Sequence, residues 1–409
     1  MTLNVLFKKL NFTAEYLVIS LFFIQPLSVV ATNIITTLIF LIYLISGNYK
    51  EKFNKILNNK VCIALLLFFS LFLIGIIWSK NLSMAFYILR KQRRFLLIPI
   101  LIYYLKNKHK NKYLTGYIMA ICVILFLSFL LYFNINLPEK MTYEKSHFTP
   151  LHHHVNHNIF IAIGFFIILK RFINNYKSKM NFIYIPLIFI MIINMVLTKG
   201  RAGMGVFFIG LFFVCFEYFK LFTFKKILIS IILVIISFFV LYEYSIYFNK
   251  RVDAGINDIK LYQSNKKYTS LGLRFVFWEV CYEIWKDNKI VGVGQGDFSD
   301  EFVFNMKKLY PRMMYWKNNP HSYYFLTIAR HGILGLILLF YVFYTMYKYS
   351  FNNKKNEFFN FRLFFITSYI FINFFAIYLE DHAASSLFML WSAFLFNNTI
   401  GDFNYEKLG

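Results

Sequence analysis

A single histidine stands where a long apolar segment begins. In NNPHSYYFLTIARHGILGL, residues 318–336, an Asn-Asn-Pro turn is followed by His321 and then by a mostly apolar run. An imidazole at the start of a helix can cap the helix, ligate a metal or accept a proton. The local sequence leaves these three roles of His321 open.

Two further segments place positive charge at the ends of apolar runs. Lys199 and Arg201 lie in TKGRAGMG, and Arg274 opens the amphipathic segment LRFVFWEVCYEIW. Two adjacent cations in a glycine-containing break can bind an anionic group, so Lys199 and Arg201 are candidate anion ligands. The segment that Arg274 opens is predicted to be an amphipathic helix on the membrane surface. For Lys199 and Arg201 the alternative is a pair of cations whose stems lie along the membrane boundary while their charges reach water.

A group of histidines occupies SHFTPLHHHVNHN. Its members are His147, His152, His153, His154 and His157. His153 and His157 are spaced for one helical face, but no glutamate completes an HExxH pattern and no cysteine lies near. We therefore predict no metal site. The histidines are expected to line a polar cavity by hydrogen bonding, with His153 and His157 as possible substrate contacts.

The glycine-rich segment GVGQGDF places Gly292, Gly294 and Gly296 at alternate positions. This spacing is similar to that of a phosphate-binding loop. No Lys-Ser/Thr pair follows, however, and no strand–helix unit surrounds it. The segment is predicted to form a tight turn.

Composition decides which elements must position these residues. The chain has 409 residues, of which 59% are hydrophobic, 22% aromatic and only 15% charged, too few polar groups to coat a soluble globule of this size. We predict an all-α integral membrane protein with about twelve transmembrane helices. The apolar runs lie near 14–30, 33–46, 61–78, 95–105, 114–133, 158–170, 182–198, 202–219, 227–248, 322–347, 362–379 and 384–400.

The net charge of +25 comes from lysines and arginines dispersed among the loops, which indicates membrane orientation and not nucleic-acid binding. With a cytoplasmic N-terminus, nearly all basic loops fall inside. The outer side then carries the long segment 249–320 and the loops around 134–157 and 198–201. RKQRR is the exception, because it places Arg90, Arg93 and Arg94 outside.

Four motifs follow one another in a characteristic order: the Gly-Arg turn at 200–201, LGLRFVFW, GVGQGDF, and NPHSYYF leading into GILGL. This order resembles the O-antigen ligase and O-antigen polymerase superfamily of bacterial envelope glycosyltransferases. The resemblance implies an undecaprenyl pyrophosphate-linked glycan as donor, chemistry at the periplasmic face of the inner membrane, and neither cofactor nor metal. Ligases deliver the glycan to the lipid A-core oligosaccharide in lipopolysaccharide biosynthesis, whereas polymerases deliver it to another carrier-linked repeat.

The resemblance also implies residue roles. Arg201 and Arg274 are assigned to the pyrophosphate, and His321 to accepting the proton of the acceptor hydroxyl. Further possible substrate contacts are Lys199, Arg90, Arg93 and Arg94, with binding of lipid headgroups as the alternative for the RKQRR arginines. Ser322 and Arg330 depart from the family pattern, because many members carry Asn and an acidic residue there.

We predict three regions along the chain. Residues 1–248 form transmembrane helices 1–9, residues 249–320 a long, largely helical periplasmic loop, and residues 321–409 helices 10–12 with a cytoplasmic C-terminus. The predicted function is that of a ligase. The alternatives are a polymerase of the same superfamily and, in another class, a non-enzymatic transporter of lipid-linked sugars.

Overall fold

The fold is all-helical, as predicted. A computed structural model describes residues 3–174, 177–198, 200–218, 223–313 and 319–400, and in these ranges the only β-type pairing is an isolated bridge between Glu144 and Thr149. The α-helices are α1 Leu3–Ile24, α2 Val29–Ile45, α3 Tyr49–Leu57, α4 Lys60–Ile74, α5 Leu82–Gln92, α6 Leu97–Tyr104, α7 Lys110–Tyr132, α8 His154–Asn174, α9 Asn181–Leu197, α10 Arg201–Tyr218, α11 Thr223–Tyr244, α12 Ile246–Gln263, α13 Ser270–Asp287, α14 Phe298–Leu309, α15 Tyr323–Asn352, α16 Phe359–Ile372 and α17 His382–Leu395.

Several helices have the length and apolarity of membrane spans, so the chain is a multi-pass membrane protein. Among the described residues, four helical segments are long and apolar enough to cross a bilayer: 107–132, α8, 224–244 and α15. A fifth results if α2 and α3, bent by 116° to each other, count as one span. Each of the twelve predicted runs overlaps an apolar helix. The count of twelve spans stays a prediction.

Several predicted runs extend past the helices that they contain, and at two of them a polar residue marks the end of the helix. The run 227–248 is divided at Ser245, whose hydroxyl accepts a hydrogen bond from the backbone N–H of Phe248 and so begins α12. The run 362–379 stops as a helix at Ile372. There the side chain of Asn373 folds back to the carbonyl of Tyr369, and residues 373–381 form turns. Both corrections place polar backbone at the same end of the bundle.

Hydrogen bonds between distant segments define this end, which we call the cavity end. The side chain of Asn156 in α8 donates to Asp381 before α17 at 2.8 Å, and the backbone N–H of Tyr323 in α15 donates to the carbonyl of Asn373 after α16 at 2.8 Å. The side chain of Gln25 after α1 donates to the carbonyl of Ala383. The starts of α8, α15 and α17 therefore meet the ends of α1 and α16.

Helix α15 is broken at Gly332, whose φ of 60° and ψ of −158° are not helical. The glycine-rich segment satisfies the backbone groups that the break leaves without helical partners. The N–H groups of Val293 and Gly294 donate to the carbonyls of Ala329 and Arg330, and those of Ile333 and Leu334 donate to the carbonyls of Lys289 and Ile290, at 2.9–3.2 Å. GVGQGDF forms turns, as predicted. Together with the residues just before it, the segment forms hydrogen bonds to both halves of the broken helix.

A buried ion pair lies beside this break. Arg330 and Glu380 form a salt bridge although their side chains are only 7% and 5% exposed, and Lys91 approaches Glu380 to 3.9 Å. The guanidinium also lies over the ring of Phe298. Because a buried charge is tolerated only with a partner, Glu380 explains how α15 can carry Arg330 inside the protein.

Candidate functional site

Helix α13 places Arg274 at the cavity end. Thr269 caps the helix by accepting a hydrogen bond from the backbone N–H of Gly272 at 3.0 Å. Phe277 and Val280 are buried, and their burial fixes the rotation of the helix about its axis. Arg274 is half-buried and lines a cavity.

The cavity has a volume of about 430 Å³ and is lined by both polar and apolar residues. Its polar lining consists of His154, Arg251, Ser270 and Arg274. Most of the remaining wall is apolar and includes Phe208, Phe238, Phe248, Phe371 and Phe375. This mixed lining suits an amphiphilic ligand that carries both an anionic group and a hydrocarbon chain.

Two helices begin at the cavity wall. Ala202 and Ser270, which stand in the first turns of α10 and α13, both line the cavity. At α13 the N–H groups of Leu271 and Gly272 already donate to the carboxylate of Asp258 and the hydroxyl of Thr269. The start of α10 is therefore the one that can add to the charges of Arg251 and Arg274. The start of α10 packs tightly against α8: a Cβ added at Gly203 would lie 2.1 Å from the Cβ of Asn158.

The structure describes only part of the segment TKGRAGMG, which holds the predicted anion ligands Lys199 and Arg201. Lys199 lies outside the described residues. Arg201 is the first residue of α10, which puts its backbone next to the cavity-lining Ala202, while its side chain is outside the described part of the chain. Their predicted roles stay predictions.

His321 precedes α15 in an unusual backbone conformation. Its φ is 52°, in the left-handed region that few residues other than glycine adopt, and such conformations often mark functional positions. The backbone N–H of His321 donates to the side-chain oxygen of Asn319 at 2.9 Å. The N-cap position of α15 belongs to Ser322, so the expectation that His321 itself caps the helix is wrong.

His321 does not itself line the cavity, and contacts on two sides connect it to segments that do. The indole N–H of Trp278 donates to the carbonyl of Pro320 at 3.0 Å, and the ring of Phe277 is stacked 6.3 Å from the imidazole. Both aromatic residues lie one helical turn after Arg274 on α13, so α13 supports Arg274 and His321 together. On the other side, Tyr323 is bound to Asn373, which lies between the cavity-lining Phe371 and Phe375.

The histidine-rich loop divides into a buried part and a part around Glu144. His157 is buried and hydrogen-bonded to Asn194 Oδ1 at 2.8 Å, and His152 is buried and bonded to the carbonyl of Pro26. Neither lines the cavity, in contrast to His154. His153 is about half exposed and lies 3.6 Å from Glu144.

Glu144 is the centre of the second part. It accepts hydrogen bonds from Nδ1 of His154 at 2.7 Å and from the backbone N–H of the same residue at 3.2 Å. Burial raises the pKa of Glu144, but these hydrogen bonds and the nearby imidazoles outweigh burial, so the pKa lies below its usual value. Glu144 was not among the residues singled out from the sequence.

The segment RKQRR is split by the structure. Arg94 is buried, and its guanidinium donates to the hydroxyl of Ser385 at 2.8 Å, next to the charge of Asp381. Arg90 and Arg93 are exposed. None of the three lines the cavity, so Arg94 contributes to packing at the cavity end, and contacts of Arg90 and Arg93 with substrate or lipid stay predictions.

Asp381 joins the start of α17 to α8 at the cavity end, and the sequence analysis did not predict this role. It accepts hydrogen bonds from two N–H groups at the start of α17 and from Asn156. Burial raises the pKa of the neighbouring Tyr378, with a further contribution from Asp381 that the charge of Arg274 opposes. The pair Glu380-Asp381 at the end of an apolar run was the available signal.

Arg251 is the other missed residue. It lies in α12, within YFNKRVDAG, where it reads as one of many basic residues of a polar segment. Only the packing of α12 beside α10 and α13 brings it to the cavity.

Two comparisons with known proteins concern the family of the chain. Residues 186–340 match the family model described as O-antigen ligase, and this range includes Arg201, Arg251, Arg274 and His321. An uncharacterized protein of Haemophilus influenzae is 29% identical over 372 residues, covering 86% of this chain and 88% of that protein. The family match confirms the resemblance inferred from the order of the motifs.

Proposed function

We propose that the protein transfers a glycan from undecaprenyl pyrophosphate to a sugar of the lipid A-core on the periplasmic face of the inner membrane, because residues 186–340 match the family model described as O-antigen ligase. The observation that carries this proposal is a cavity lined by both arginines and phenylalanines. Its two arginines and the start of α10 suit a pyrophosphate, and its phenylalanine side chains suit a polyprenyl chain.

In the proposed step, the acceptor hydroxyl attacks the anomeric carbon of the donor glycan while His321 accepts the hydroxyl proton. The bond between the anomeric carbon and the phosphate oxygen breaks, and undecaprenyl pyrophosphate leaves with the electron pair. Arg251 and Arg274 stabilise the added negative charge. A positioned general base contributes about 10²–10⁴-fold to the rate. The proposal assigns no metal or cofactor to this step.

A polymerase of the same superfamily is the alternative, since it uses the same donor and the same chemistry. It differs in the acceptor, which is then a second carrier-linked repeat. The transporter alternative receives less support. Transporters often line a central site with broken helices, whereas the break in α15 is closed by hydrogen bonds to residues 289–294.

A lipopolysaccharide gel of a deletion strain separates ligase from polymerase. Loss of a ligase leaves bare core while carrier-linked glycan accumulates, and loss of a polymerase leaves core that bears one repeat. The purified protein in detergent, supplied with carrier-linked glycan and lipid A-core, is expected to form the glycosylated core. Absence of product in this reaction, with the donor intact, would favour transport over transfer.

A further inference from the structure

We propose that Glu144, His147 and His154 form a binding site for a divalent transition-metal ion of the Zn²⁺ class. Each of the three residues offers one ligand atom, and these three atoms lie within 4.8 Å of one another. The proposal does not rest on the proposed glycan transfer. It revises the expectation from sequence that this histidine group binds no metal.

A short turn and a helix start bring the three side chains together. The backbone groups of Glu144 and Thr149 exchange two hydrogen bonds, at 3.1 and 3.2 Å, which close the turn that carries His147. Ser128 of α7 donates to the carbonyl of Phe148 at 2.6 Å and anchors the turn. His154 is the first residue of α8. The ligands therefore come from a braced loop and a helix.

The side chains already converge on one point. Glu144 contacts Nδ1 of His154 at 2.7 Å, and the rings of His147 and His154 stack with centroids 4.5 Å apart. Ligand atoms of a tetrahedral zinc site with bonds of about 2.0–2.1 Å lie roughly 3.4 Å apart. Binding an ion thus requires the Glu144 oxygen and Nδ1 of His154 to separate slightly from 2.7 Å, while no pair of ligand atoms has to close from more than 4.8 Å. A short surface turn can accommodate both shifts.

The donor set selects the class of ion. Two imidazole nitrogens and one carboxylate oxygen suit Zn²⁺ and related transition metals, whereas Ca²⁺ and Mg²⁺ require mainly oxygen ligands. Three protein ligands leave a fourth position open. Because His154 also lines the cavity, the ion would hold the turn at 144–149 against α8 beside the cavity wall.

The test measures zinc binding directly. Protein without a polyhistidine tag, purified in detergent and stripped with a chelator, is titrated with Zn²⁺ against a competing fluorescent chelator. We expect one ion per chain with micromolar or tighter affinity, and a rise in the unfolding temperature when Zn²⁺ is added. Co²⁺ in place of Zn²⁺ should give the visible absorption of a low-coordinate site.

Variants locate the ion. His147→Ala and Glu144→Gln should each weaken zinc binding by more than the roughly 10–100-fold that loss of an outer-shell partner costs. The Gln variant keeps an oxygen that can accept from the backbone of α8, so its fold is protected. His382→Ala, at an exposed histidine outside the group, should bind as the native protein does. Equal affinity in all four proteins, or no binding below about 0.1 mM, overturns the proposal and leaves the transfer reaction untouched.

Discussion

At the residue scale, the two arginines that line the cavity are not equally easy to predict from the sequence. Arg274 opens a recognisable motif, whereas Arg251 belongs to a polar helix with several basic residues. Their common feature is spatial, since both line the same apolar cavity. An arginine beside a hydrocarbon wall is poorly screened by water, which strengthens its interaction with an anion.

We expect Arg251→Ala and Arg274→Ala each to weaken donor binding by about 10–100-fold, equivalent to the roughly 1.5–3 kcal/mol of a hydrogen bond to a charged group. Lysine should restore part of the loss, because it supplies the charge without the planar fork. Binding of carrier-linked glycan to the purified variants measures this. Arg312→Ala, at an exposed arginine, is the matched control. Native affinity in both cavity variants would place the pyrophosphate elsewhere.

Glutamine at position 321 tests the role of His321, because its side chain forms hydrogen bonds but does not take up a proton. Both His321→Ala and His321→Gln should lower the transfer rate by about 10²–10⁴-fold, the contribution of a general base. Turnover with purified substrates is the measurement, and His382→Ala serves as the control histidine. A Gln variant with near-native turnover would show that His321 holds the loop and takes no part in proton transfer.

At the element scale, the broken helix α15 depends on a segment that follows α13. The carbonyls on one side of the break and the N–H groups on the other are paired with residues 289–294, so the two halves of α15 are joined through this segment. The glycines are required by close contact. A Cβ at Gly292 would lie 2.3 Å from the carbonyl carbon of Arg330, and Gly292 has a φ of +67°.

Gly292→Ala should therefore destabilise the protein. Left-handed backbone alone costs about 1–3 kcal/mol in a residue other than glycine, and the close contact adds to this cost. Thermal unfolding in detergent measures the effect. The control is Gly116→Ala in α7, where an added Cβ meets atoms no closer than 3.8 Å and alanine favours the helix. Equal unfolding temperatures for the native protein and the Gly292 variant would refute the bridging role.

At the scale of the whole molecule, the proposed function requires the cavity end to face the periplasm. The distribution of lysines and arginines predicts this orientation, because the loops at the opposite end carry most of them. Asn265, in the turn after α12, then lies outside, and Lys354, after α15, lies inside. Both are exposed.

Cysteine labelling tests the orientation. On a background in which the four native cysteines are replaced by alanine, Asn265→Cys should react with a membrane-impermeant maleimide in spheroplasts. Lys354→Cys should react only after lysis. Its reaction in lysed cells shows that the cysteine is accessible to the reagent. The reverse pattern would place the cavity in the cytoplasm and exclude the proposed periplasmic reaction.

The sequence by itself determined the membrane class, the approximate positions of the apolar helices and the motifs that carry Arg274 and His321. These properties are local: hydropathy and helix capping depend on residues within a few positions of one another. Averaged hydropathy also explains why the predicted runs continued past Ser245 and Asn373. At each position one polar residue ends the helix, although most of its neighbours are apolar.

Only the tertiary structure decided which of the polar residues share a site. Asn156 and Asp381 are 225 positions apart in the chain yet hydrogen-bonded. Arg251 and Arg274 line one cavity only because residues of α10, α12 and α13 together enclose it. The grouping of Glu144 with His147 and His154 likewise required the turn at 144–149 to fold onto the start of α8. Such contacts depend on how helices pack side by side, which the periodicity of a single segment does not encode.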